Sequence, residues 1–99
     1  MGASNIEFKL PKSEYPTADA VKVWYKKAVD QAEYESGHNP YNGTISTTKG
    51  IKFLLDVFLD EAKAYDYALD NSEKWGRMGC VTLLENGKHY WIISGWAAS

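Results

Sequence analysis

Hydrophobic and polar positions alternate at the start of the chain, with Ile6, Phe8 and Leu10 separated by Glu7 and Lys9. A period of two predicts a strand with one face buried. Pro11, which has no backbone N–H to donate, predicts its end. Residues 11–16 contain Pro11 and Pro16 among polar residues and read as a loop. The period then changes. Val21, Trp24, Tyr25, Ala28, Val29 and Ala32 recur at helical spacing and form one apolar stripe, with Lys22, Lys26, Lys27, Asp30, Gln31 and Glu33 elsewhere on the surface. Thr17 can cap this helix because its hydroxyl accepts a free N–H of the first turn, and Asp19 places a negative charge where the helix dipole favours it. Gly37 and Pro40 predict its end, so the helix covers about residues 18–36.

The β-branched run Thr44-Ile45-Ser46-Thr47-Thr48 predicts a second strand, and Lys49-Gly50 a turn. Residues 51–70 support two readings. Ile51, Leu54, Leu55, Phe58, Leu59, Ala62, Tyr65 and Leu69 fit one long helix, whereas Ile51, Phe53, Leu55 and Val57 alternate as a strand would. The turn before Ile51, and Asp56 placed to cap a helix opening with Asp60 and Glu61, favour a strand followed by a helix. After Asn71-Ser72 the chain is apolar on both faces from Met78 to Leu84. Glu85-Asn86-Gly87-Lys88 predicts a type I′ hairpin, because Asn-Gly tolerates the positive φ angles that turn requires. His89 to Ile93 returns as the partner strand, and both strands belong in the middle of the sheet. The expected fold is α+β and a single domain over residues 1–99. It has an antiparallel or mixed sheet of about five strands with two helices on one face, in the order β-α-β-β-α-β-β.

Composition adjusts this picture only in places. Ninety-nine residues suit one domain and one core. Four Trp and seven Tyr are many for the length; large rings fill small cores and also favour contact surfaces. Eleven basic against thirteen acidic residues, a net charge of −2, offer no clustered basic footprint for nucleic acid. No apolar run approaches the length of a membrane span, and the N-terminal residues lack a signal-peptide pattern. Cys80, the one cysteine, permits no internal disulfide and suits a reducing compartment. The expected location is the cytoplasm.

Candidate chemistry gathers in residues 37–48, which hold His38, Tyr41, Asn42, Thr44 and Ser46 between the first helix and the next element. A loop held by rigid elements is where function concentrates. On a working reading His38 is a general acid or base and Tyr41 or Thr44 a ligand contact. On the plainer reading Gly37 and Pro40 end a helix, Asn42-Gly43 turns, and the hydroxyls fill an edge strand. No His-x3-His or Cys-x2-Cys spacing and no phosphate loop occurs, so no metal and no cofactor is expected. Cys80, on an apolar strand, reads as a small core residue rather than a nucleophile. Residues 56–73 carry Asp56, Asp60, Glu61, Asp66, Asp70 and Glu73 against Lys63 alone. These acids form either a solvated helix face or a surface that steers a basic partner. Lys22, Lys26 and Lys27 make a small basic counterpatch, and the two patches on separate copies would join a homodimer. Trp96, close to the end of the sequence, either closes the core or anchors a contact.

Three blocks carry a resemblance: Glu33-Tyr34-Glu35-Ser36-Gly37-His38-Asn39-Pro40-Tyr41-Asn42-Gly43-Thr44-Ile45-Ser46-Thr47-Thr48, Lys74-Trp75-Gly76-Arg77-Met78-Gly79-Cys80, and Gly95-Trp96-Ala97-Ala98-Ser99. Together, over about a third of the chain, they resemble small accessory proteins of bacteriophages and other mobile elements. The resemblance implies a short protein acting inside a bacterial host, where such proteins often bind and block a host machine, notably a defence complex such as a CRISPR effector. It carries over no catalytic or binding residue. The expected function is therefore inhibition by protein–protein contact, without enzyme activity, through a surface of His38, Tyr41, Asn42, Thr44, Ser46, Asp60, Glu61 and Trp96. The alternative is a small enzyme or nucleotide-signal binder using residues 37–48.

Overall fold

The computed structural model describes residues 3–36, 45–74 and 76–98. Strand β1 (Ala3–Pro11) leads to helix α1 (Ala18–Ser36). A 3-10 turn (Ile45–Thr47) follows, then strand β2 (Ile51–Phe58), helix α2 (Glu61–Asp70) and strands β3 (Met78–Glu85) and β4 (Lys88–Ala98). The class is α+β, as the alternating periods predicted.

Four strands, not five, form one mixed sheet in the order β1-β4-β3-β2. The described part of the expected strand, residues 45–48, is a 3-10 turn and its exit rather than a strand. Thr48 turns its hydroxyl onto the Ile45 carbonyl (2.6 Å), and its own N–H donates to the same oxygen (3.0 Å). A side chain that satisfies the backbone three residues earlier replaces a ladder bond with a local one. Tyr25 Oη meets Thr48 Oγ1 at 2.6 Å and ties this buried turn to α1.

The two doubly apolar strands are central, as expected. β4 pairs antiparallel with β1 from Ala3↔Ala98 to Pro11↔Tyr90 and antiparallel with β3 from Gly79↔Ser94 to Glu85↔Lys88. β2 joins the other side of β3 in parallel, so β2-α2-β3 is a crossover unit. The Asn-Gly hairpin forms with φ of 52° at Asn86 and 74° at Gly87, both in the positive range its turn type demands.

The helices lie on opposite faces of the sheet, which corrects the expectation of a single helical layer. Alternation along β3 shows it. Met78 and Cys80 join Leu10, Val21, Ile45 and Ile93 in the cluster under α1, while Val81 and Leu83 join Ile92, Ala64 and Ala68 in the cluster under α2. A strand apolar on both faces needs cover on both, and one helix on each supplies it.

Rings pack on both sides, including Phe58 against Tyr67 at 5.1 Å on the α2 side, but among the described residues only α2 touches the sheet backbone to backbone. Large rings fill the α1 side: Phe8 meets Trp24 edge-on at 5.1 Å, and Phe53 meets Trp91 edge-on at 5.8 Å. On the α2 side the helix presents Ala64 and Ala68, and β3 presents Gly79 directly beneath the Ala68 carbonyl. Small residues allow that backbone-to-backbone approach.

Capping follows local chemistry at both helices. Thr17 Oγ1 accepts from Ala20 N (3.2 Å), as predicted. At α2 the cap is Asp60, not Asp56: Asp60 is extended (φ −119°, ψ 121°) and its carboxylate accepts from Ala62 N (2.9 Å) and Lys63 N (3.3 Å). Asp56 instead accepts from Tyr67 Oη at 3.1 Å, tying β2 to α2. Removing the cap in Asp60→Ala is expected to destabilise the fold by about 1 kcal/mol in urea denaturation.

Candidate protein-binding surface

The feature that positions a surface is an irregularity in β2. Phe53 pairs with Cys80 and Val57 with Thr82, so four steps along β2 span two along β3. Leu54, Leu55 and Asp56 therefore arch away from regular pairing, as in a bulge. The arch disrupts the alternation. Phe53 packs under α1, Leu54 and Phe58 pack under α2, and Leu55 is left 99% exposed. Val57 is 61% and Leu59 78% exposed. Three large aliphatic side chains thus stand in solvent at one edge of the sheet. The alternation of Ile51, Phe53, Leu55 and Val57 predicts a regular strand with these four on one face, and nothing local announces a bulge.

Beside this edge the α1 face carries a row of cations and rings. Lys12 Nζ sits 3.9 Å from the Trp91 ring centroid and donates to Thr82 Oγ1 at 2.9 Å. Lys22 Nζ lies 5.9 Å from the Phe53 ring. Trp91 is itself fixed, donating Nε1–H to the Tyr15 carbonyl at 2.6 Å. Burial pushes the Lys12 pKa below the ordinary lysine value.

On the opposite face the lysine of β1 is paired with carboxylates. Lys9 Nζ meets Glu85 at 3.2 Å and Glu61 at 3.5 Å, and lies 4.6 Å from the Tyr90 ring. Desolvation lowers the Lys9 pKa, but the hydrogen bond to Glu85 and the charges of both carboxylates outweigh it and the net shift is upward.

The expected recognition surface does not assemble from its described members. His38, Tyr41, Asn42 and Thr44 lie outside the described residues. Ser46 belongs to the 3-10 turn whose Ile45 packs under α1. Trp96 is half-buried on β4 opposite Asn5. It alternates with Ser94 and Ile92 and so stands on the α2 face. Asp60 and Glu61 are at the far end of that face, Asp60 capping α2 and Glu61 paired with Lys9. Two sides and two ends of the sheet separate these groups.

Among the described residues no three His, Cys, Asp or Glu side chains converge as a metal cluster would. Cys80 is fully buried and its thiol pKa is pushed up to about 12 by burial, which removes the thiolate a nucleophile needs. In the loop before β3, Arg77 grips Glu73 through Nε (3.1 Å) and Nη2 (2.8 Å), and the Arg77 backbone N–H adds a third bond (3.1 Å). The side-chain hydrogen bonds first, and then the backbone bond, lower the Glu73 pKa to about 2. Carbon-detected NMR titration should show Glu73 ionised down to about pH 2. In Arg77→Ala its midpoint should return towards the ordinary glutamate range.

Comparison with protein-family models, with curated proteins and with solved structures finds no match.

Proposed function

We propose that the protein acts by binding another protein through the β2 edge. In this reading it is an accessory protein of a phage or mobile element that occludes a host protein machine, such as a defence complex. The single observation that carries the binding is the exposure of Leu55, Val57 and Leu59 together on one edge. Exposed large aliphatics at a sheet edge invite aggregation unless they serve a contact. The phage setting rests on the sequence resemblance alone. The binding surface differs from the one the sequence suggested and uses neither Trp96 nor the acids of α2. The small-enzyme alternative rests on His38, Tyr41 and Thr44, and no observation on the described residues favours it.

The test is quantitative crosslinking in bacterial lysate, wild type against a Leu55→Asp, Val57→Asp variant. Both positions are exposed, so the variant should keep its melting temperature to within a few degrees. A partner captured by the wild type and lost by the variant supports the reading. Equal capture by both, or capture by neither, rejects it.

A further inference from the structure

The cover provided by α1 stops part-way along the sheet. Its cluster reaches Phe53 on β2 and Trp91 on β4, and neither Val57 nor Leu84 belongs to either cluster. Alternation places Val57, Thr82 and Leu84 on the same face as Phe53, Cys80 and Trp91. Lys12 continues β1 alongside them, its backbone N–H donating to the His89 carbonyl at 3.0 Å. Among the described residues, one end of this sheet face is therefore a half-exposed platform that α1 does not cover, aliphatic at its β2 edge and cationic at its β1 edge.

Two lysines three residues apart behave in opposite ways. Lys9 has two carboxylates within 3.5 Å on the α2 face. Lys12, on the α1 face, has none among the described residues; its fixed partners are a hydroxyl and an indole ring. An ammonium has three donors, and Thr82 uses one. Removing this cation partly from water costs free energy that a carboxylate would offset. The side chain is nevertheless held in place, by Thr82, by Trp91 and through its backbone, so a ligand need not order it.

We propose that this platform receives a segment of the partner protein in which a carboxylate stands beside an aliphatic side chain, the carboxylate bonding Lys12 and the aliphatic group covering Leu55 and Val57. The inference rests on the reading that the β2 edge binds protein, and adds the chemistry of what it binds. Lys22, over Phe53, extends the same positive potential along α1. A nucleic-acid strand fits less well: the chain carries a net charge of −2, and the platform's other edge is aliphatic rather than basic.

The experiment is selection from a random dodecapeptide display library on the immobilised full chain, with affinities of enriched peptides measured on variants. The expected peptides pair Asp or Glu with a neighbouring Leu, Ile, Val or Met. Lys12→Gln and Lys12→Met should each weaken them about tenfold, the value of one charge-assisted hydrogen bond. Met keeps the stem against Trp91, so equal losses in the two variants assign the effect to charge. Leu55→Asp should abolish binding, and amide shifts should centre on Lys12, Val57 and Thr82. Apolar peptides without acids, lost on Leu55→Asp but unchanged in both Lys12 variants, would overturn this inference and leave the β2 contact standing. Failure to enrich any peptide that perturbs β2 would overturn both. A twelve-nucleotide oligothymidylate that binds at Lys12 as tightly as the best peptide, or light scattering that shows self-association lost on Leu55→Asp, would also overturn the acidic-segment inference.

Discussion

Gly79→Val is expected to be among the most destabilising single substitutions this fold can suffer, lowering its stability by about 3 kcal/mol or more. Gly79 faces α2 on the central strand β3, and a Cβ there would collide with the Ala68 carbonyl oxygen and stand 2.9 Å from the carbonyl carbon and 3.1 Å from Cα. The obstacle is helix backbone, which cannot rotate aside as a side chain can. Relief requires α2 to lift from β3, which would open the cluster of Ala64, Ala68, Val81, Leu83 and Ile92. Overpacking costs about 1–3 kcal/mol where side chains can adjust, and about 3 kcal/mol or more is expected here. That is a large part of the 5–15 kcal/mol that holds a typical domain together. Urea denaturation followed by tryptophan fluorescence measures it. Gly95→Ala provides the contrast. Its Cβ would first meet Met78 Cγ at 2.6 Å, a flexible side chain, so a smaller loss of about 1–2 kcal/mol is expected. A Gly79→Val protein as stable as wild type would show that α2 does not sit so close to the sheet.

Alkaline solution should destabilise the fold through Cys80. Burial holds the folded thiol near a pKa of about 12, against 9.0 for a free thiol. Below pH 9 both states keep the proton, and the thiol contributes no pH dependence. Between pH 9 and 12 the unfolded chain releases it while the folded chain does not, so the unfolded state binds fewer protons and stability falls as pH rises. Three pH steps at 1.36 kcal/mol each set an upper limit of about 4 kcal/mol by pH 12. Tyr65 and Tyr67, whose pKa values are also raised, act in the same direction. The difference between wild type and Cys80→Ala therefore isolates the thiol. The variant should lose stability less steeply above pH 9, in urea melts at half-unit steps. Equal slopes would mean that Cys80 is not shielded from water.

Exposure of the β2 edge was the least legible feature. Leu55 and Val57 obey the alternation of a buried strand, and only the register of β2 against β3 shows that the chain arches between Phe53 and Val57. The partner responsible, β3, lies more than twenty residues away in sequence, beyond the reach of any local pattern. The lack of a carboxylate beside Lys12 among the described residues is of the same kind. In sequence Lys9 and Lys12 are two lysines near the end of one strand; the pleat sends the first towards Glu61 and Glu85 and the second towards Trp91 and Thr82. A signal was present for one correction. Asp60 directly precedes Glu61-Ala62-Lys63 and is as good a cap by type as Asp56, so the four-residue choice between them turned on where β2 ends.

What the amino-acid order determined alone is whatever a few neighbouring residues can decide. Thr17 starts α1 and the apolar stripe sustains it to Ser36; Asn86-Gly87 makes the hairpin; the paired apolar faces of β3 and β4 send both strands to the centre. Those outcomes follow from backbone preference and from the burial demanded by each element by itself. Tertiary structure decided the rest: the parallel pairing of β2 with β3, the helices on opposite faces, the close seat of Ala68 on Gly79, and the aliphatic edge left in solvent. Each depends on which distant surface fills the space beside a residue, because a side chain's burial and charge balance are properties of its neighbours in space.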